Sequence, residues 1–333
     1  MPEIAINDDP AAVRDLFTKA DPAAFPDWDC HPLSGNFARA LYAAINAERL
    51  DHEPCPFAVM DGDRPVLLAD ASRNADAVSM YGLPLVLAAH SELGAKRRKK
   101  VFAAAFAHLQ GIAQSDGRSI RIAGTFADNP MGAADLACID RLAAPVSHLH
   151  AAADVTQDEK DIHKALRASF RSLVNWGRGQ LQMCYVNADT PDRALFDALP
   201  AFHTAIAGAG ARGDAYWDVF WNEVSEGRGE VSLGFLDDGS LASGTAIIDA
   251  GGISYYASGV YDREKFDKPL AHFPVFDSMV RAGSRGNRLY DLGEIFPAGT
   301  ADDKEVQIGF FKKGFTSSFH LRTVWSVPLD GGA

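Results

Sequence analysis

The sequence predicts an α/β (α+β) fold of two tandem units, each with a mixed central sheet. Three observations predict it. At 333 residues the chain has the length of about two domains of roughly 100–200 residues. Hydrophobic residues make up 47% and charged residues 23%, the balance of a globular protein with ample core. Both halves also run through one order: a hairpin with an Asp-Gly turn, a strand, a loop, a helix, a glycine and a closing strand. The halves share negligible sequence identity, so the repeat is one of architecture rather than of motif. The expected division is an extension over residues 1–35, a first domain over 36–150 and a second over 151–333.

Residues 1–35 are acidic and proline-rich, with a short helix over 13–19 before Pro22, Pro26 and Pro32 interrupt the chain. Phe37, Leu41, Tyr42 and Ile45 lie on one face of a helix over 36–48. Residues 57–69 form a hairpin around Asp61-Gly62. The apolar run 80–87 reads as a strand. A helix over 96–115 places Val101, Phe102, Phe106 and Leu109 along one side, and Asp116-Gly117 ends it. A strand over 119–123, an irregular stretch over 124–145 and a strand near 146–151 complete the first half.

The second half opens with one helix over 158–176, followed by a strand over 181–187 and a helix over 192–207. A small-residue loop over 205–214 leads to an aromatic-rich helix over 216–225. Strands 230–235 and 241–249 flank Asp237-Asp238-Gly239 as a second hairpin. A strand over 253–260, a helix over 271–284 and a strand over 289–292 follow. The closing strand leads into a polar loop and then into Phe310-Phe311-Lys312-Lys313-Gly314-Phe315, two cations within an aromatic cluster.

Several function classes are disfavoured. The net charge of −12 argues against a nucleic-acid binder held by a broad basic face, and no DNA partner is expected. Cys30, Cys55, Cys138 and Cys184 are far apart, as in a reducing compartment. The first twenty residues carry charges that exclude a signal-peptide core, and no apolar run reaches the length of a membrane span. A cytoplasmic protein is expected. There is no HExxH, GxSxG or P-loop motif, and His148-x-His150 is a thin metal case better read as strand decoration. No metal is expected.

The order of elements resembles the GNAT acyltransferase fold, and its tandem repetition resembles the Fem-type peptidyltransferases and FemAB-like proteins. The matching residues are mostly in the second half. Ala165-Leu166-Arg167-Ala168-Ser169-Phe170-Arg171 resembles the family's basic helix, and Tyr255-Tyr256-Ala257-Ser258-Gly259 its central strand. Tyr290-Asp291-Leu292-Gly293 and Phe311-Lys312-Lys313-Gly314-Phe315 resemble its closing strand and lysine-containing aromatic motif. In the first half, Tyr81-Gly82-Leu83-Pro84 is similar to a Tyr-Gly-Gly-Pro segment, with Leu83 in place of the second glycine. No good Gln/Arg-x-x-Gly-x-Gly/Ala loop occurs, which argues against ordinary acetyl-CoA use. The resemblance implies two tandem GNAT-like (acyl-CoA N-acyltransferase) units. It also implies transfer of an acyl or aminoacyl group to an amine, with most of the site in the second unit.

Such a reaction needs a polarised carbonyl, a proton acceptor and a hold on the donor's phosphates. Lys312, desolvated among phenylalanines, is the candidate for a phosphate or oxyanion. Lys313 would point the other way on a strand. Asp291 and Glu294 flank Gly293 at a strand end; Asp291 either accepts backbone N–H bonds or acts chemically, and Glu294 is the candidate base. Arg167 and Arg171, four apart, share a helix face as either a two-arginine clamp or solvated charges. Tyr255 and Tyr256 alternate across a strand, so one is core; Tyr256 is the candidate proton donor. Phe311 and Tyr81 complete the donor- or substrate-binding set. The run 96–100, Lys-Arg-Arg-Lys-Lys, is either a solvated basic turn or a pyrophosphate contact at a helix start. No permanently bound cofactor is expected. The co-substrate would be acyl-CoA or aminoacyl-tRNA, bound by its acceptor end, and the acceptor a small-molecule amine or a cell-envelope precursor. The competing expectation is a non-catalytic ligand-binding protein that keeps the tandem fold.

Overall fold

The computed structural model describes residues 3–49, 51–114, 119–126, 131–208, 212–265, 267–296, 299 and 302–327. The chain divides into two compact units, residues 1–148 with 321–333, and residues 149–320. The expected class holds: each unit combines helices with mixed pairing of strands.

The first unit begins with β1 (Ile4–Asn7) and α1 (Pro10–Lys19), where Asp9 caps the helix by accepting from Ala11 N–H at 2.9 Å. Next come α2 (Asn36–Arg49), β2 (Glu53–Pro54), β3 (Phe57–Asp61) and β4 (Arg64–Ala69). The β3–β4 hairpin turns through Gly62 at φ 64°, as the Asp-Gly pair predicts. Then follow β5 (Ser72–Arg73), β6 (Ala77–Ser79), β7 (Ala88–Ala89), α3 (Ala95–Gln114), β8 (Ser119–Phe126) and α4 (Ala133–Ile139). Strands β1, β3, β4 and β7 form an antiparallel sheet, while β6 pairs parallel to β8 across the crossover helix α3. The apolar side of α3 buries Val101, Phe102, Phe106 and Leu109 against both layers.

Residues 1–35, expected as an extension, are built into this unit, since β1 pairs with β3 along its length. The strand expected over 80–87 does not form. Tyr81 (φ 50°) and Gly82 (φ 95°) both turn left-handed, and Met80 and Leu83 exchange backbone hydrogen bonds around them. Met80, Leu85 and Leu87 enter the core from the two arms of this turn, which explains the apolar run. The stretch expected to be irregular contains α4. The expected end of α3 at Asp116-Gly117 lies outside the described residues.

The chain continues with β9 (Ala144–Asp154), α5 (Glu159–Ala165), α6 (Ala168–Gln180), β10 (Gln182–Val186), α7 (Arg193–Ala207) and α8 (Asp214–Ser225). After these come β11 (Gly229–Phe235), β12 (Leu241–Ala250), β13 (Ile253–Tyr261), α9 (His272–Ser284), β14 (Leu289–Glu294), α10 (Asp303–Lys312) and β15 (Phe319–Val327). In the second unit, β10 to β13 form an antiparallel meander, β14 joins parallel to β13 after the crossover α9, and β9 closes antiparallel to β14. Hairpin, strand, crossover helix and parallel strand therefore occur in both units. The end of the chain differs from the expected second domain: residues 321–333 group with the first unit, because β15 pairs with β8. Among the described residues, no helix is long and apolar enough to cross a membrane.

Two helices differ from expectation. The single helix over 158–176 is two, because Leu166 and Arg167 are extended (ψ 150° and 136°) and the Arg167 N–H donates to Gly314 O at 2.8 Å. The loop expected after β14 contains α10, started by a capping box in which Asp302 accepts from Glu305 N–H at 2.8 Å. Lysines 312 and 313 thus end a helix rather than alternate along a strand.

Behind them, Phe170, Phe311, Phe315 and His272 interleave with ring centroids 4.5–6.3 Å apart. A Cβ on Gly314 would overlap the Phe170 ring. Gly314→Ala is accordingly expected to destabilise the second unit by about 1–3 kcal/mol in urea unfolding. A change below roughly 0.5 kcal/mol, the size of a neutral surface substitution, would contradict this packing.

Candidate functional site

The site grows from β14. Its register against β9 slips between Asp291 and Gly293, leaving Leu292 as the extra residue of a bulge. Gly293 sits at φ 91°, a conformation glycine adopts without cost. The kink lets Asp291 Oδ1 accept from the Gly293 N–H at 2.7 Å. From β9, His150 Nδ1 lies 2.9 Å from Asp291 Oδ2 and 3.1 Å from Oδ1. An ionised carboxylate offers only acceptors, so Nδ1 carries the hydrogen. Asp291 is 0% exposed and His150 2%.

Lys312, the last residue of α10, reaches back to this bulge and donates from Nζ to Glu294 O at 2.9 Å. Its ammonium lies over the bare Cα of Gly293; a Cβ there would stand 2.9 Å from Nζ and 3.6 Å from Tyr255 Cε2. Burial holds the Lys312 pKa below the ordinary lysine value of 10.5, while Asp291 and Glu294 pull it part of the way back.

Strands β13 and β14 separate here. They pair from Ile253–Leu289 to Tyr255–Asp291, and among the described residues the ladder goes no further. Each strand also bulges where the gap begins: Ala257 is the extra residue of β13 against β12, as Leu292 is of β14 against β9. A cation donates to a backbone carbonyl of each strand, Lys312 to Glu294 O and Arg212 to Ala257 O at 3.4 Å. Backbone groups released from a ladder beside a partly desolvated ammonium are suited to an anion or a polarised carbonyl.

Of the residues singled out in the sequence, Asp291, Glu294 and Lys312 come together. Tyr255 rather than Tyr256 lies beside Lys312. The Tyr256 hydroxyl bonds the Tyr261 hydroxyl at 2.7 Å, and burial raises the Tyr256 pKa well above 10. Near that pair, a cavity of about 370 Å³ is lined by Leu173, Tyr261, Lys268, Leu270 and His272. Lys313 is exposed at the helix end, and Phe311 belongs to the aromatic cluster.

The arginines do not form a clamp on one helix face. Arg167 precedes α6, stacks over Phe310 at 4.1 Å and donates to Phe310 O at 3.0 Å. Arg171 closes the end of α5, donating to Lys164 O at 2.7 Å and Leu166 O at 3.3 Å. Tyr81 is in the first unit, its phenol pushed up to about 12 by burial and by Asp70. Sequence reasoning took His150 for strand decoration and passed over Arg212. The signal for His150 was indirect: a carboxylate in an apolar strand needs a buried donor, but this donor is 141 positions away.

A lysine-selective NMR titration should place the Lys312 midpoint below 10.5. Because Asp291 favours the ammonium, Asp291→Asn should move the midpoint further down. A midpoint at or above the ordinary value in both proteins would rule out this environment.

No family model and no curated protein matches the sequence. Solved structures do match. FemX aligns with a TM-score of 0.64 at 14% identity, covering 96% of each chain. L-PGS from Bacillus licheniformis aligns at 0.58 and 10% identity, over 96% of this chain and 91% of that one. A tandem GNAT protein from the clavulanic acid biosynthesis pathway aligns at 0.51 and 14% identity, over 99% and 100%. At these identities the likeness concerns the fold, and over nearly the whole chain that fold is the Fem-type tandem GNAT fold.

Proposed function

We propose that the protein is an N-acyltransferase, moving an acyl or aminoacyl group from an activated donor to an amine, with its chemistry in the second unit. The observation that carries this reading is the Lys312 ammonium, held at 2.9 Å on Glu294 O beside the seam where β13 and β14 part. A donor carbonyl lying in the seam would meet a cation whose field is weakly screened. As the amine attacks, negative charge grows on the carbonyl oxygen, where Lys312 and backbone N–H groups stabilise it. The proton leaves the amine for Glu294, the carboxylate at the mouth of the bulge. Asp291 already accepts from His150 and Gly293, so its role is to position the bulge and Lys312. Tyr255, beside Lys312, takes the part expected of Tyr256, donation to the leaving group. Arg167 acts through the carbonyl at the end of α10, and Arg171 holds the α5–α6 break; neither contacts the acyl group.

Acyl-CoA and aminoacyl-tRNA remain the two donor classes, the latter implied by the Fem-type resemblance. The acceptor is an amine on a small molecule or a cell-envelope precursor. Residues 262–271, between β13 and α9, contain no glycine, which favours a donor other than acetyl-CoA. The same observation supports a second reading, a ligand-binding protein without turnover.

Mass spectrometry of candidate amines incubated with acyl-CoA pools and charged tRNA distinguishes the two. Mass gain on an amine is expected. Failure of every donor, together with ligand binding indifferent to Glu294→Gln, would sink the enzyme reading. With an active pair in hand, Lys312→Ala should lower kcat/KM by roughly 10²–10³. Its melting temperature should change little, because the variant sheds a buried charge. Parallel losses of activity and stability would make the lysine structural.

A further inference from the structure

Away from that seam, α3 and α4 of the first unit border a groove of about 850 Å³, lined in part by Arg98, Lys99, Phe102, Met131, Leu136 and Arg141. Large apolar side chains face water here: Met131 is 60% exposed, Leu136 57%, Ile139 42% and Leu142 84%. Leu136 and Ile139, three apart, share one face of α4, while Asp135, Ala137 and Cys138 are turned inward. Leu142 has φ 55°, a left-handed conformation that asparagine or glycine takes more readily. Neither burial nor backbone preference selects a leucine there, the pattern of a residue kept for contact with something else.

The charge beside these side chains is positive. Among the described lining residues Arg98, Lys99 and Arg141 are cationic and Asp140 is the one carboxylate; it lies 3.5 Å from Lys99 in a solvent-exposed pair, and Asp27, outside the lining, feels the charge of Arg98. Arg98 Nε is buried without a hydrogen-bond partner among the described residues. Lys96 and Lys100 are exposed on the first turns of α3 but are not among the described lining residues, so the groove's positive excess comes from Arg98, Lys99 and Arg141. In a chain of net charge −12 this is a local reversal of sign. Protruding leucines and methionine beside cations that outnumber the carboxylates among the described lining residues match a surface whose apolar side enters the headgroup–acyl boundary while phosphates meet the basic side.

We propose that this α3–α4 face docks the protein on the surface of an anionic lipid bilayer. The inference is independent of the acyltransferase reading and needs no turnover to be tested. The full chain is cosedimented with vesicles of equimolar phosphatidylglycerol and phosphatidylcholine, and with phosphatidylcholine alone, at low and high salt. Binding to the anionic vesicles should be stronger by roughly tenfold or more at low salt and should converge on the neutral value as salt rises. Leu142→Asn, which suits the left-handed backbone, and Leu136→Ser should each weaken vesicle binding several-fold with no loss of melting temperature. Lys99→Gln should reduce the preference for anionic vesicles. Absence of vesicle binding, equal binding to both compositions, or indifference to the leucine variants would overturn the proposal. So would binding of monomeric dihexanoyl phosphatidylglycerol without vesicle binding, which would make the groove a site for a soluble amphiphile. A dimer in sedimentation velocity that Leu136→Ser dissociates would instead assign the face to a second copy, and would overturn the proposal too.

Discussion

A carboxylate without access to water has to be given hydrogen bonds by the protein, and Asp291 is such a carboxylate. Meeting that requirement shapes the second unit. The Gly293 N–H reaches Asp291 because β14 bulges, and the bulge needs a residue free to adopt a positive φ. The second donor comes from His150, which ties β9 to β14 by a side-chain bond as well as by the ladder. The same glycine, having no Cβ, leaves room for the Lys312 ammonium. One buried charge thus accounts for the bulge, the histidine and the approach of the lysine.

The parting of β13 and β14 has a separate cause. A bulge on each strand, at Ala257 and at Leu292, increases the local twist where the two leave their common ladder. The bases of the two strands are fixed by parallel pairing, and the crossover helix α9 places Phe276, Met279 and Ala282 in one core with Tyr290 and Leu292 of β14. The gap is therefore a built feature between firmly packed strands rather than a frayed edge. A ladder interrupted this way exposes polar backbone groups to any ligand that fits, which the uninterrupted ladder of β10 and β11 does not.

Much of this fold was legible because local signals agreed with one another. The Asp-Gly turns fixed two hairpins, and the apolar face of residues 101–109 fixed α3. What escaped had two origins. Some signals were present and outweighed: Asp302-x-x-Glu305 is a capping box that announces α10, yet Pro297 and Gly299 before it suggested a loop. Others were absent, because the cause lies far away in sequence. No local feature says that Arg167 will give its N–H to Gly314 and split a helix. The run 80–87 is apolar whether it is extended or folded back at Tyr81-Gly82, since both forms bury the same side chains. The site was legible as a set of residue types, Asp291, Glu294 and Lys312, but not as an arrangement. Helical rather than strand geometry sends Lys312 inward, and the bulge exchanges the expected roles of Tyr255 and Tyr256.

The close approach of Phe170 to Gly314 also bears on how this sequence can vary. Position 313 points into solvent and can accept almost any side chain. Position 314 can accept none without displacing an aromatic ring, and position 312 needs a side chain long enough to reach the Glu294 carbonyl. A search pattern drawn from this chain should therefore weight the lysine before the variable position and the glycine after it. Because Phe170 sits just beyond the α5–α6 break, the pattern should carry an aromatic there as well. Such a pattern has two parts well separated along the chain, and a scan for a single continuous motif would pass it by.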